Sequence, residues 1–134
     1  MTASLGMKNI SRILAFRLGG DASLPAVEAT PRPPVPEPVA EPAGEEVVAA
    51  GKSIYYERCW HCHGDGAVSG GVTPDLRYSN AETHAQWDAI VLGGMKQANG
   101  MPAFGNILAP EDSQAVRNYV LERAQRAWQR QQAQ

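Results

Sequence analysis

Cysteine is scarce in this chain of 134 residues: Cys59 and Cys62 are the only two. One such pair cannot build a disulfide scaffold, and no second pair exists to complete a structural zinc site of four protein ligands. Charge of one sign is scarce as well. Twelve Lys and Arg stand against 14 Asp and Glu, which leaves no basic footprint for nucleic acid. No apolar run approaches the roughly 18 residues of a membrane span. A secretory leader is not legible: Lys8 and Arg12 resemble a charged start, but "ILAF" is cut short by Arg17 and no small-residue cleavage site comes after it. Export is therefore not visibly encoded, and the expectation is a mature form or fragment, or a protein that stays inside the cell.

What is present is unevenly distributed and divides the chain into three. Residues 1–24 contain "RILAFRL", in which Leu14, Phe16 and Leu18 alternate with Ala15 and Arg17 as in a strand, broken by "GGD". A lone strand has no partner for its ladder or its apolar face. Residues 25–43 hold seven of the ten prolines, a composition that favours polyproline II and could reach about 55 Å if fully extended. Such a linker reads either as a free spacer or as a strap lying along the surface of the domain at its C-terminal side. Residues 44–134 turn helical. "EEVVAAGKSIYYERC" opens on acids suited to a helix N-terminus, Ser79 to Glu82 reads as a capping box before "THAQWDAIVL", and Gly93–Gly94 stop that helix. Pro110 opens a last helix to about Gln131 with the stripe Ala115, Val116, Tyr119, Val120, Arg123, Ala127. The expected fold is all-α: three main helices joined by glycine-rich loops at 64–78 and 93–107. A core this thin gains from a bound group.

The loop chemistry centres on "ERCWHCHGDG". C-x-x-C-H is the attachment signature of c-type haem. Positions i and i+3 share a helix face, so Cys59 and Cys62 can both reach the vinyl groups on one haem edge, and His63 comes next with its ring toward the iron. A dithiol redox site would need a βαβ setting, which is absent here, and a zinc site would need further ligands. Haem is the preferred reading. For the sixth position of the iron the candidates are Met95, Met101, His61 and His84. Met101 in "NGMPAFGN" has no evident packing role and Pro102 restricts the backbone beside it, so Met101 is preferred. Met95 reads as a loop or core residue, and His61 is confined by the motif. His84 reads as an exposed polar residue early in its helix. Ligation by His63 and Met101 suits electron transfer more than oxygen binding.

The chain resembles the class I cytochromes c. More narrowly, "GKSIYYERCWHCHG", "SGGVTPDLRYS", "WDAIVLGG", "NGMPAFGNILAPED" and "AVRNYVLERA", in that order, resemble the haem c domain at the C-terminus of quinohaemoprotein alcohol dehydrogenases, which use pyrroloquinoline quinone (PQQ). "SRILAFRLGGDASLP" resembles the last propeller strand and linker before that domain. The resemblance implies one covalent haem c. It implies that Pro74 offers its carbonyl to the His63 ring, that Arg77 neutralises a haem propionate, and that Gly51 lets the last helix approach beside Tyr119. Trp87 is expected in the core near the haem, and Trp60 at the haem edge. The quinone- and calcium-binding propeller is almost wholly missing, so alcohol oxidation is not expected of these residues.

The function expected is thus single-electron transfer, not catalysis, with a PQQ-dependent dehydrogenase as donor, in a parent or partner, and another cytochrome, a copper protein or an oxidase as acceptor. The alternatives are a free-standing carrier to a terminal oxidase, tethered by residues 1–43, and a haem-based sensor or peroxidase-like enzyme with a labile sixth ligand. By resemblance the compartment is periplasmic.

Overall fold

A computed structural model describes residues 14–23 and 32–133 of the chain. Five helices occur among them: α1 (Glu45–Arg58), α2 (Trp60–His63), α3 (Ala81–Ala85), α4 (Trp87–Val91) and α5 (Pro110–Gln132). Short 3₁₀ turns at Asp65–Ala67, Leu76–Tyr78 and Gln97–Asn99 punctuate the loops between them. The all-α architecture matches the sequence expectation, and no strand occurs among the described residues. Part of "RILAFRL" lies outside those residues. From Leu14 to Leu18 the chain forms no strand, and Leu14, Phe16 and Leu18 are exposed, because no neighbouring strand supplies a ladder.

The frame is the packing of α1 against α5. Gly51 is what allows it: a Cβ there would overlap the Ala115 carbonyl and crowd the Val116 nitrogen, so only hydrogen fits between the two backbones. Around this contact Tyr55, Val116, Tyr119 and Val120 are buried, with the Tyr55 and Tyr119 rings 5.1 Å apart. Trp87, Val91 and Leu108 complete the same cluster. Trp87 is anchored as well as buried, since its indole N–H donates to the Ser113 carbonyl at 3.0 Å. The start of α5 is held by Pro110 at its first position and by Asp112, whose carboxylate accepts from the Ala109 N–H at 3.0 Å.

Two local expectations need correction. The capping box from Ser79 to Glu82 does not form. Asn80 is the N-cap, accepting from the Thr83 N–H and hydroxyl at 2.9 Å each, while the Ser79 N–H closes the preceding 3₁₀ turn onto Leu76. Asn is as good a cap as Ser, and one position later it leaves Glu82 too near the start to reach back. The helix expected over "THAQWDAIVL" is also two helices, α3 and α4, because Gln86 (φ −96°, ψ 12°) leaves helical geometry. Its end agrees with the expectation: Gly94 is left-handed (φ 71°) and the Met95 N–H caps the Ala89 carbonyl at 3.0 Å.

His84 is the third correction. It is not exposed but 7% accessible, stacked on Trp87 with centroids 5.5 Å apart and planes 8° from parallel. The kink at Gln86 turns this face of α3 inward, which helical position alone does not reveal. Burial, and then the charge of Arg117, push the His84 pKa down to about 4. In the unfolded chain it titrates near 6.5. Between those values the unfolded state binds a proton that the folded state refuses, so this contribution is complete above about pH 6.5 and is lost as pH falls toward about 4. The expected loss in the haem-loaded protein is on the order of 3 kcal/mol. Denaturant titrations at pH 7 and pH 4.5 should differ less for His84→Gln than for wild type; equal pH dependence in both would refute it.

The described part of the proline-rich segment is a strap. Val35 is buried, and its N–H and carbonyl both meet the Gln131 side chain, at 2.8 and 3.0 Å. The Ala43 N–H donates to Asn118 at 2.8 Å, so residues 35–43 run along α5. Of the two readings that composition leaves open, strap and spacer, residues 32–43 take the first.

Candidate haem site

The motif residues lie where α1 ends. Cys59 caps α1 and starts α2, and the Cys62 and His63 N–H groups both return to the Cys59 carbonyl, at 3.2 and 2.9 Å. This single turn carries Cys59 and Cys62 on one face with His63 beside them. Both cysteines are free thiols. Burial first, and then neighbouring Cys62, push the Cys59 thiol up to about 11. A redox dithiol needs a lowered thiol pKa, so this environment does not favour that chemistry. Among the described residues no group of three or more His, Cys, Asp or Glu side chains is placed to hold a metal ion.

The turn ends at Gly64, whose φ of 78° suits glycine and whose missing Cβ would overlap the Val68 carbonyl. Tyr55 reads this corner from the core, donating its hydroxyl to the Gly64 carbonyl at 2.6 Å. Arg123 of α5 does the same two residues on, with Nε donating to the Gly66 carbonyl at 3.2 Å. The segment that presents the cysteines is therefore clamped to both main helices.

His63 is oriented by the loop at residues 69–78. Its Nδ1 lies 3.1 Å from the Pro74 carbonyl, which accepts when Nδ1 carries the proton. That tautomer leaves Nε2 as a lone-pair donor for a metal, the arrangement usual for ligating histidines. The Pro74 loop is tied to the motif by Thr73, whose hydroxyl donates to the Cys62 carbonyl at 2.5 Å. Arg77 has a different visible partner from a haem propionate: its Nε and Nη2 donate to Asp75 at 2.9 and 2.7 Å. The Asp75 side chain thereby fixes the direction of the guanidinium.

Of the two methionine candidates for the sixth position, Met101 packs against the hydrophobic cluster that Cys59 also touches. It is half-buried there, and Leu92 and Phe104 pack against the same cluster. Its loop is held by backbone bonds from Phe104 to the Val91 carbonyl (2.8 Å) and from Gly105 to Leu92 (3.2 Å). Met95 is half exposed, and His61 stacks outside on Trp60. His84 is held in the core against Trp87. The structure thus brings Cys59, Cys62, His63 and Pro74 together and sets Met101 on the cluster that Cys59 also touches. Free thiols on one turn, an imidazole with Nε2 available, and a thioether on an apolar wall fit a covalently attached haem.

Residues 46–120 match the family model described as "Cytochrome C oxidase, cbb3-type, subunit III". The chain belongs to this family of cytochrome c domains. It is 44% identical over 120 residues to Quinohemoprotein alcohol dehydrogenase ADH IIB of Pseudomonas putida, covering 88% of this chain and 17% of that protein. With ADH-IIG of the same organism it shares 38% over 119 residues, covering 89% and 16%. The dehydrogenase subunit of the alcohol dehydrogenase (quinone) of Gluconobacter oxydans is 37% identical over 122 residues, covering 90% and 16%. The chain therefore spans about a sixth of the length of these relatives. A solved structure of ADHIIG from Pseudomonas putida HK5 superposes with a TM-score of 0.65 at 40% identity, over 80% of this chain and 15% of that one. The fold is that of a cytochrome c domain homologous to those of quinohaemoprotein alcohol dehydrogenases, and membership in the family implies haem c and electron transfer.

Several parts of this site escape a reading of the sequence. Thr73 and Asp75 carry no signal there, Arg123 enters only as one position of the α5 stripe, and Tyr55 is not singled out. Each acts through a backbone carbonyl or a partner in another segment, which leaves no spacing to detect.

Proposed function

We propose that this cytochrome c domain carries one haem c, attached through Cys59 and Cys62 and ligated by His63 and Met101. It takes single electrons from a PQQ-dependent dehydrogenase, as partner or parent, and passes them to another cytochrome, a copper protein or an oxidase. The observation that supports it most is the His63 ring, with Nδ1 at the Pro74 carbonyl and Nε2 left as a donor. When bound, the haem supplies one-electron redox chemistry. The residues would do the rest: Pro74 would fix the tautomer and basicity of His63, the Met101 thioether would be the second protein ligand and favour a high potential, and Arg77, steadied by Asp75, would neutralise a haem propionate. Trp60, 40% accessible and inside the motif, lies where a redox partner can touch it.

No helix among the described residues is long and apolar enough to cross a membrane. The compartment in this reading is the periplasm, by resemblance to systems that attach haem to C-x-x-C-H outside the inner membrane. The link to a quinone dehydrogenase comes from the relatives, which are quinone-dependent alcohol dehydrogenases by name.

Reconstitution tests the reading. Haem-loaded protein is mixed anaerobically with a PQQ-dependent alcohol dehydrogenase and its alcohol, and the visible haem bands are monitored. Reduction that depends on the alcohol is the expected result. Haem that stays oxidised beside turned-over dehydrogenase overturns the assignment of donor.

A further inference from the structure

The loop from Ser69 to Tyr78 carries Pro74, and so carries the carbonyl that orients His63. Several of its polar bonds are internal and move with it: the Ser69 hydroxyl to the Thr73 carbonyl, and Asp75 with Arg77. Leu76 packs against the core cluster at the far end. For the part before Leu76, the polar side-chain ties to other segments among the described residues, the His63 ring aside, are two. One is Thr73 on the Cys62 carbonyl. The other is Arg32 of the proline strap, whose Nη1 meets Asp75 at 3.1 Å while Nη2 donates to the Ser69 carbonyl at 2.8 Å. Arg32 thus grips both ends of the stretch that holds Pro74.

We propose that Arg32 is a positioning residue for the haem ligand, through which the docked proline strap closes the Ser69–Asp75 loop and holds the Pro74 carbonyl on the His63 ring. The inference rests on the reading of His63 as the ligand. The strap has its own anchors nearby: Tyr78 donates its hydroxyl to the Pro33 carbonyl at 2.6 Å, and Gln131 brackets the backbone of Val35. A tie made by a planar guanidinium on two acceptors fixes direction as well as distance. Hydrogen bonding to the second ring nitrogen tunes the basicity of a ligating histidine. The proline strap therefore bears on the haem ligand, and a change in its docking reaches the reduction potential without touching the haem.

Two variants test this in the haem-loaded full chain: Arg32→Gln, which removes the tie, and Gln131→Ala, which loosens the strap without altering charge or any loop atom. The readouts are exchange of the His63 ring N–H proton, measured by NMR in the reduced protein, and the reduction potential. In Arg32→Gln the ring proton exchanges about fivefold faster, equivalent to about 1 kcal/mol of loop closure. In Gln131→Ala it also speeds up and the potential rises, because a less basic imidazole stabilises the oxidised iron less. Wild-type exchange of the ring proton in Arg32→Gln overturns the role of Arg32, whatever the strap does. A wild-type protein with no slowly exchanging His63 ring proton overturns the ligand reading itself, and the two failures are distinct.

Discussion

Replacing Met101 by alanine abolishes the near-infrared methionine-to-iron charge-transfer band of the oxidised haem-loaded protein and lowers its reduction potential. The fall is a sizeable fraction of the range of about 0.8 V that axial ligands span. The thioether is a soft donor that favours reduced iron, and its loss leaves the sixth position to water or a harder donor. Met95→Ala serves as the control. Met95 is half exposed just beyond the C-terminal end of α4, so its removal leaves band and potential unchanged. Global folding is only mildly affected in Met101→Ala, since Met101 is half-buried at the margin of the cluster. A band that survives in Met101→Ala, or vanishes in Met95→Ala, overturns the ligation. Rapid carbon monoxide binding by the reduced wild type at neutral pH would favour the sensor or peroxidase-like reading instead.

Gly51→Ala is the largest stability effect expected from one methyl group. The atoms it would meet are the Ala115 carbonyl and the Val116 nitrogen, all backbone, with no flexible side chain to swing away. The α1–α5 pair must separate, disturbing Tyr55 and Tyr119 together. Overpacking of this kind costs about 3 kcal/mol or more, and the better helix propensity of alanine, about 1 kcal/mol, recovers only part. A net loss of about 2 kcal/mol lowers the melting temperature of a domain this size by on the order of 10 °C. Thermal and denaturant unfolding of the haem-loaded variant measure it. Wild-type stability would mean that the helices do not cross at Gly51.

Both results depend on residues that stand out in the sequence, for different reasons. Helix α5 is readable because its signals are local: Pro110 and Asp112 at the start, and a stripe repeating every three or four residues. The C-x-x-C-H turn is readable because its residues fall within five consecutive positions and one helical turn. The Pro74 carbonyl and the Gly51 approach come from resemblance to a family, and both geometries are present. The capping box fails by one position, where Ser79 and Asn80 are near-equal caps and the fold uses Ser79 to finish the preceding turn.

Sequence alone thus determined the helical class, the positions of α1 and α5, and the placing of Cys59, Cys62 and His63 on one turn, since each arises from contacts within about one helical turn. Tertiary structure alone decided that His84 is buried and that residues 35–43 lie along α5. It also decided that Asp75 is shared between Arg32 and Arg77. Arg32 and Asp75 are 43 positions apart, and an ion pair over that distance leaves no periodicity to read. It exists because α5 offers Gln131 to the strap and Cys62 offers its carbonyl to Thr73, bringing two otherwise unrelated loops within reach of one guanidinium.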